Sequence, residues 1–366
     1  MHTEKNVRIA VIGGGFGAGQ HWHEHPDCEV TAVAEMDEER LGTLVKRYGC
    51  ENTFRSLEEM LDKARDAFDA VAIFSGAPRH AENAIACMEA GKHVVSACPA
   101  GLTLDECSAI IETKEKTGLK YMMHESSYYR QACIAAREAY EAGEFGRLFY
   151  SEVEYYHPGI CTSASGLSLR KKERTWRWGF PPMLYPTHSL GFLVGVTGER
   201  IVKVSCAGQL VGDDFPPVDE NPYRNPFNNE MALGITDQGN ICRFGVFWSG
   251  TAHGERAQWF GDKMSCYMAS SGGQREAMQK AGENWQAWDV EKYWQTRLPD
   301  AMRHESGHGG SASFLAAEFI NAILEDREPA VDVYESIAMT APGIVAHESA
   351  KRNGEQMDVP SFDPTE

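Results

Sequence analysis

Gly13, Gly15 and Ala18 have the spacing G-x-G-x-x-A in the run Gly13, Gly14, Gly15, Phe16, Gly17 and Ala18. The first glycine allows a tight turn, the second lets a backbone approach a pyrophosphate, and the small third residue lets a helix pack on a strand. The pyrophosphate would sit on the free N–H groups where a following helix starts. Glu35 ends a second apolar run, Val30 to Ala34, about twenty residues on, where an acid holds ribose hydroxyls. A carboxylate there repels a 2′-phosphate, so NAD is the expected cofactor, with Arg40 close enough in sequence to keep NADP open. Tyr185 and His188 are three apart, so on a helix they share a face and could serve one ligand. Histidine moves protons in either direction near neutral pH, and tyrosine does so when its neighbours lower its pKa.

Other sets carry less. His21, His23 and His25 suggest a metal, but on a helix only His21 and His25 share a face, and no cysteine or carboxylate arrangement completes a tetrahedral set. No metal is therefore expected. His304 and His308 have the same spacing and sit among Ser and Gly, as a loop does. Arg170, Lys171, Lys172, Arg174 and Arg177 form one basic run beside Trp176 and Trp178. Such a run is either a solvated face or a lid whose cations bind an anionic ligand, and the tryptophans either stack on a ligand ring or belong to the core.

These residues need a frame. Val7 to Ile12 reads as a buried parallel strand leading into the glycine turn. Strand-like runs then alternate with helical spacing: a helix over Glu38–Tyr48, a strand over Asp69–Phe74, a helix over Arg79–Ala90, and a strand over His93–Ala97. A helix over Leu102–Thr117 and a strand over Lys120–His124 follow. Alternation of this kind predicts a doubly wound parallel sheet of the Rossmann type, with ligands at the carboxyl ends of its strands. The reading places that domain at residues 1–125 and a second α/β domain at 126–366. In the second domain a helix over Arg130–Ala142 precedes alternating strands at Leu148–Tyr156, Val202–Gly208, Met231–Thr236 and Ile241–Trp248, which predict a mixed sheet. Phe314–Leu324 and Ile337–Lys351 read as helices, and 212–227 and 272–300 as loops.

At 366 residues two domains with a large core are expected. A net charge of −18 argues against nucleic acid or an anionic membrane as a partner. Ten cysteines without a C-x-x-C pair suggest reduced thiols and a cytoplasmic protein. Charged Glu4, Lys5 and Arg8 break any export-type apolar core near the start, and no apolar run approaches a membrane span.

The chain resembles the Gfo/Idh/MocA family of NAD(P)-dependent carbohydrate oxidoreductases over nearly its whole length. The marks are the glycine turn with His21, the segment VTAVAEMDEER, the segment DAVAIFSGAPRHAENAIACMEAGKHV, and the late FINAILEDREPAVDV. The resemblance implies a Rossmann domain followed by an α/β domain with a large open sheet, commonly used for dimers or higher homo-oligomers. One departure stands out: where most of the family carries Glu-Lys-Pro, this sequence has Ala97, Cys98 and Pro99. A cysteine supplies no fixed ammonium donor to a substrate alkoxide; Cys98 is either a thiolate beside the nicotinamide or a small buried residue.

The segment Tyr185-Pro186-Thr187-His188, with HESSYYR at 124–130, EYYH at 154–157 and GHGG at 307–310, is similar to the branch containing the NAD-dependent alpha-N-acetylgalactosaminidases. The resemblance implies oxidation at sugar carbon 3, removal of the proton at carbon 2, loss of the aglycone, addition of water and return of the hydride. It implies a site lined by Tyr185, His188, Tyr155 and His157, although Tyr156 could replace Tyr155 as the inward ring. It places Ser75 and His80 on the ribose and phosphate side of the cofactor and Glu125 near the nicotinamide ribose. Trp178, Arg177 and His308 are expected on the small carbohydrate substrate. A net sugar or inositol dehydrogenase, and a non-catalytic NAD-binding regulatory protein, are the alternatives.

Overall fold

The computed structural model describes residues 7–161, 169–170, 173–270, 273–290 and 296–364. Lys171 and Lys172 of the basic run lie outside the described residues. The chain divides into two compact units: Met1–Arg130 with Lys292–Ile337, and Gln131–Glu291 with Ala338–Glu366.

In the first unit, β1 (Val7–Ile12), β2 (Cys28–Ala34), β3 (Thr53–Phe54), β4 (Ala70–Ile73), β5 (His93–Ser96) and β6 (Tyr121–Met123) form one sheet in the order β3-β2-β1-β4-β5-β6. Every pairing is parallel. The apolar runs Ile9–Ile12 of β1 and Ala70–Ile73 of β4 follow from burial on both faces, and β4 is wholly buried. Between strands run α1 (Glu38–Tyr48), α2 (Leu57–Ala64), α3 (His80–Glu89) and α4 (Leu104–Thr117). α4 starts where the Thr103 side chain accepts the Glu106 N–H and the Glu106 carboxylate accepts the Thr103 N–H.

The helix expected directly after the glycine turn is replaced by two short 3-10 turns, Gly17–Gly19 and Trp22–Glu24. Gly17 and Gly19 are poor helix formers and Pro26 lies just beyond, so no length of helix can propagate before β2.

The second unit begins with α5 (Gln131–Glu141) and β7 (Leu148–Tyr156), and a two-residue pair, β8 (Leu169–Arg170) with β9 (Glu173–Arg174), lies beyond. α6 (Thr187–Thr197) is followed by β10 (Ile201–Gln209), β11 (Asn229–Thr236), β12 (Ile241–Phe247), β13 (Gly254–Gly261) and β14 (Met264–Tyr267). β15 (Ala277–Lys280) and β16 (Gln286–Ala287) fall in 272–300, expected as a loop. Their residues are half-buried or exposed, so they lack the buried alternation that marks a strand in sequence; pairing of β15 with β14 and of β16 with β15 makes them strands.

After the first unit regains the chain at Lys292, α7 (Ser311–Leu324) belongs to it, α8 (Val333–Lys351) returns the chain to the second unit, and β17 (Met357–Asp358) closes the sheet. The sequence expects one division near Glu125. The contacts of α7 explain the difference: Phe314 stacks on Tyr129 with ring centroids 5.5 Å apart, and Phe319 meets Trp22 edge-on at 6.3 Å.

The second sheet has the order β16-β15-β14-β13-β7-β12-β11-β10-β17. Only β12 and β7 pair in parallel, which makes it mixed and open. α6 is buried almost all round, as a helix with apolar residues on every face must be. Trp259 Nε1–H donates to Phe192 O at 2.9 Å, fastening β13 to α6. Leu233, Ile235 and Ile241 stay exposed on β11 and β12. Among the described residues no helix is long and apolar enough to cross a membrane.

Candidate active site

The expected site residues fall into two groups, one in each unit.

In the first unit the glycine turn follows β1. Gly13 has φ +92°, and a Cβ there would lie 2.3 Å from Phe74 O, so only glycine fits. A Cβ on Gly17 would lie 2.9 Å from Val11 Cγ1, which accounts for a second small residue. A Cβ on Gly15 would meet only the Arg40 guanidinium, at 3.7 and 3.8 Å, so the backbone there is open to a ligand. Phe16 is exposed and Ala18 half-buried. Glu35 stands beside the turn: one carboxylate oxygen accepts the Gly14 N–H at 2.7 Å and the other accepts the Asp37 N–H at 3.0 Å. A turn open at Gly15 with a carboxylate beside it could hold a dinucleotide's pyrophosphate and ribose.

Ser75 follows β4, and its Oγ accepts from Asn83 Nδ2 at 3.1 Å. His80 is buried, with Nδ1 2.8 Å from Pro99 O and Nε2 3.0 Å from Ser75 O. The ring is therefore a strut between the loops after β4 and β5. Cys98 is buried in the second of those loops. Glu125, fully buried after β6, accepts the Ser127 N–H at 2.9 Å. His308 belongs to this unit, exposed and with φ +57°.

Sequence reasoning missed two features here. His124 is buried edge-on to Phe74 at 5.3 Å and Trp22 at 6.0 Å, and burial, with His308 nearby, pushes its pKa down to about 3. Glu24 gathers two histidines: its Oε2 lies 2.9 Å from His21 Nδ1 and 2.6 Å from His304 Nε2. Burial pushes Glu24 up, but hydrogen bonds from His21 and His304 outweigh it and hold the carboxyl below its ordinary value. The hydrogen bond to Glu24 raises His304.

Thus a carboxylate and a distant histidine do complete a three-residue donor set that could hold a metal, where the sequence shows none. Arg47 Nη2, 3.4 Å from both Glu24 Oε1 and His21 Nδ1, places a cation at the same point and opposes a second one. His25 leaves the set and pairs with Asn321 at 3.2 Å.

In the second unit Tyr155, Tyr185 and His188 come together. Ring centroids are 4.7 Å apart for Tyr155 and His188, 5.1 Å for Tyr185 and His188, and 6.1 Å for Tyr155 and Tyr185. Tyr185 does not lie on the helix with His188: it ends the 3-10 turn Pro182–Leu184, and Pro186 caps α6. The pairing survives because the turn folds the tyrosine back beside the first turn of α6.

Tyr155 is the inward ring of its pair, whereas Tyr156 stacks on Phe247 at 5.3 Å. His157 joins at 6.1 Å from Tyr155. Burial, then His253 and Arg177, lower its pKa to about 4. Trp248 closes the cluster against Tyr155 and Tyr185, each at 6.1 Å.

Arg177 is buried, its guanidinium 4.0 Å above the Trp176 ring and 5.9 Å from the Tyr185 ring. Trp178 instead lies under Arg174 at 4.6 Å. The turn carrying Tyr185 is held from behind. Glu230 on β11 is buried, accepts the Met183 N–H at 2.8 Å, and lies 2.8 Å from His347 Nδ1 on α8. Neither Glu230 nor His253 carries a local signal, because their partners are distant in the chain.

Residues 7–125 match the family model described as the oxidoreductase family, NAD-binding Rossmann fold, and residues 248–366 match the glycosyl hydrolase 109 C-terminal domain. A glycosyl hydrolase family 109 protein of Shewanella woodyi is 25% identical, the match covering 97% of this chain and 85% of that protein. An alpha-N-acetylgalactosaminidase of Tannerella forsythia is 27% identical over 84% of this chain and 73% of its own length. Among solved structures, levoglucosan dehydrogenase in complex with NADH and L-sorbose superposes with a TM-score of 0.80 at 19% identity, covering 98% of this chain and 100% of that one. That likeness is one of fold.

Proposed function

We propose that this chain, whose residues 7–125 match an NAD-binding Rossmann oxidoreductase model and whose residues 248–366 match a glycosyl hydrolase 109 C-terminal domain, cleaves a glycoside by an NAD-dependent, redox-neutral route. The observation that carries this reading is the clustering of Tyr155, Tyr185 and His188 within 4.7–6.1 Å, with His157 beside them, in a chain that has Cys98 where a dehydrogenase lysine would stand.

Bound NAD supplies reversible hydride transfer at a sugar carbon, which makes the hydrogen on the neighbouring carbon acidic. Gly13, Gly15, Phe16, Gly17 and Ala18 form the turn that would receive its pyrophosphate, and Glu35 would hold its ribose. Ser75 borders the same turn, since Gly13 packs on Phe74. His80 keeps the loops of Ser75 and Cys98 in register. Glu125, whose carboxylate already accepts the Ser127 N–H, is suited to a ribose hydroxyl.

The chain's own chemistry is proton transfer. His188 at the start of α6 and Tyr185 at the end of the preceding 3-10 turn present a base and an acid side by side, so one can take a proton while the other supports the departing oxygen. Tyr155 packs against His188 and aligns its ring. His157, held below the ordinary imidazole pKa by partial burial and by its neighbours His253 and Arg177, stays neutral near pH 7 and so has a ring nitrogen free to take a proton. Arg177 and Trp178 would contact the sugar, and the cationic face of Arg177 suits a ring bearing oxygen or a negative charge.

The protein is expected to act in the cytoplasm: its ten cysteines are all buried and none forms a disulfide. A homo-oligomer is expected through the open sheet, where Leu233 and Ile235 are exposed beside Ile241.

The test is turnover of a glycoside panel in deuterated water with added NAD. Cleavage with deuterium at carbon 2 and no build-up of NADH supports the reading. Stoichiometric NADH would make it a net dehydrogenase, and tight NAD binding without turnover of any glycoside or polyol would make it a regulatory protein.

A further inference from the structure

The face of the second sheet that packs on α6 ends in an acid. β13 pairs antiparallel with β7, and the register sets Trp259 opposite Ser151, Ala257 opposite Val153 and Glu255 opposite Tyr155. Opposed residues share a face, and all six are buried. Arg256 and Gln258 alternate to the other face, where Arg256 Nη2 lies 2.9 Å from Glu154 Oε1 and Gln258 donates to Glu152. Trp259 identifies the inner face, because its indole N–H donates to Phe192 O on α6 at 2.9 Å.

Along that face the chemistry changes. Val153, Ala257 and Trp259 form an apolar surface, and a hydrocarbon in place of Glu255 would extend it with no charge to desolvate. The last row instead sets a carboxylate beside a phenol. Directly opposed residues hold their Cβ atoms about 4.5–5.5 Å apart, so Glu255 stands within side-chain reach of what Tyr155 touches. Tyr155 meets His188 with ring centroids 4.7 Å apart and Tyr185 at 6.1 Å, and the Arg177 guanidinium lies 5.9 Å from the Tyr185 ring.

A guanidinium, which only donates, and a carboxylate, which accepts, thus border one aromatic cluster. That combination suits an uncharged, hydroxyl-rich ring: its hydroxyls donate to the acid and its other oxygens accept from the guanidinium. An acid group on the ring would meet Glu255 as a like charge.

We propose that Glu255 is a specificity-determining residue that accepts hydrogen bonds from sugar hydroxyls and selects an uncharged glycoside over a uronide. The proposal rests on the reading that the cluster of Tyr155, Tyr185 and His188 receives the sugar.

The test uses the full chain loaded with NAD and para-nitrophenyl glycosides of both anomers: hexosides, N-acetylhexosaminides and the matching hexuronides. Release of nitrophenol gives kcat and KM, and NAD affinity with urea unfolding reports whether each variant is folded. Wild type is expected to prefer the uncharged member of each pair. Glu255→Gln keeps the size of the side chain and removes its charge. It is expected to raise KM for the uncharged glycoside about tenfold or more with kcat within about threefold, the pattern of a contact made equally in ground state and transition state. The preference over the hexuronide should shrink by at least about tenfold. Glu255→Ser removes the carboxylate and leaves room for water; it should shrink the preference the same way, and it carries the test if the glutamine variant does not fold.

A KM effect together with a narrowed preference supports the proposal. A wild type that prefers the hexuronide, or a variant with unchanged KM and preference, overturns it and leaves the functional reading standing. Equal losses on both members of a pair, or a loss confined to kcat, overturn it too, since they would make Glu255 a brace for Tyr155 rather than a contact of the sugar. A wild type that binds NAD and cleaves no member of the panel sinks the functional reading and the proposal together.

Discussion

Gly343, inside α8, passes so close to the turn carrying Tyr185 that replacing it with alanine tests how the site is held. A Cβ at Gly343 would lie 2.2 Å from Met183 O, 2.4 Å from Pro186 Cγ and 2.7 Å from Pro186 Cβ. Ordinary contact begins at 3.4 Å, so the turn or the helix must give way by more than an ångström. None of these atoms is the end of a flexible side chain. Met183 is also tied through its N–H to the buried carboxylate of Glu230, so the turn cannot yield freely.

Glycine to alanine in an unobstructed helix stabilises by about 0.5–1 kcal/mol. Overpacking of this kind costs about 1–3 kcal/mol, and against atoms this rigid the cost wins. The expected net loss is roughly 1–2 kcal/mol in urea unfolding. Because Tyr185 and His188 flank Pro186, kcat is expected to fall by about 100-fold, the effect of misplacing a reacting group by an ångström. NAD affinity should be unchanged, because the glycine turn lies in the other unit. A Gly343→Ala protein that is more stable than wild type and keeps its kcat would refute the claim that α8 positions this turn.

Glu35→Arg removes the carboxylate beside the glycine turn and is expected to shift the binding preference from NAD towards NADP by at least about tenfold; equal preference in a binding titration would remove Glu35 from the ribose. His188→Ala is expected to abolish turnover with NAD binding intact, and an active variant would take His188 out of the mechanism. The Glu24–His304 contact should contribute most between about pH 5 and 6. Its Glu24 part is lost as pH falls through a lowered carboxyl pKa, and its His304 part as pH rises through a raised imidazole pKa. The stability deficit of His304→Gln, read from denaturant midpoints, should therefore peak in that window, and a deficit independent of pH would contradict the charge argument.

The first unit's sheet is legible because its information is local. A parallel strand buried on both faces must be apolar along its length, and a turn that meets a pyrophosphate must lack side chains, so β1, Gly13 and Glu35 can be found one after another in the chain. The same local logic overreached after Gly17, where two glycines and Pro26 leave only 3-10 turns.

What the tertiary structure decided are the meetings of residues far apart in sequence. Glu24 reaches His304, Glu230 holds the Met183 turn against His347, and His253 comes to lie on His157. α7 joins the first unit because Phe314 and Phe319 find aromatic partners there. Helical and strand periods report only which neighbours share a face. Which of two adjacent tyrosines turns inward, and which histidine finds a carboxylate, depends on strand pairing and packing, to which residues hundreds of positions apart contribute equally.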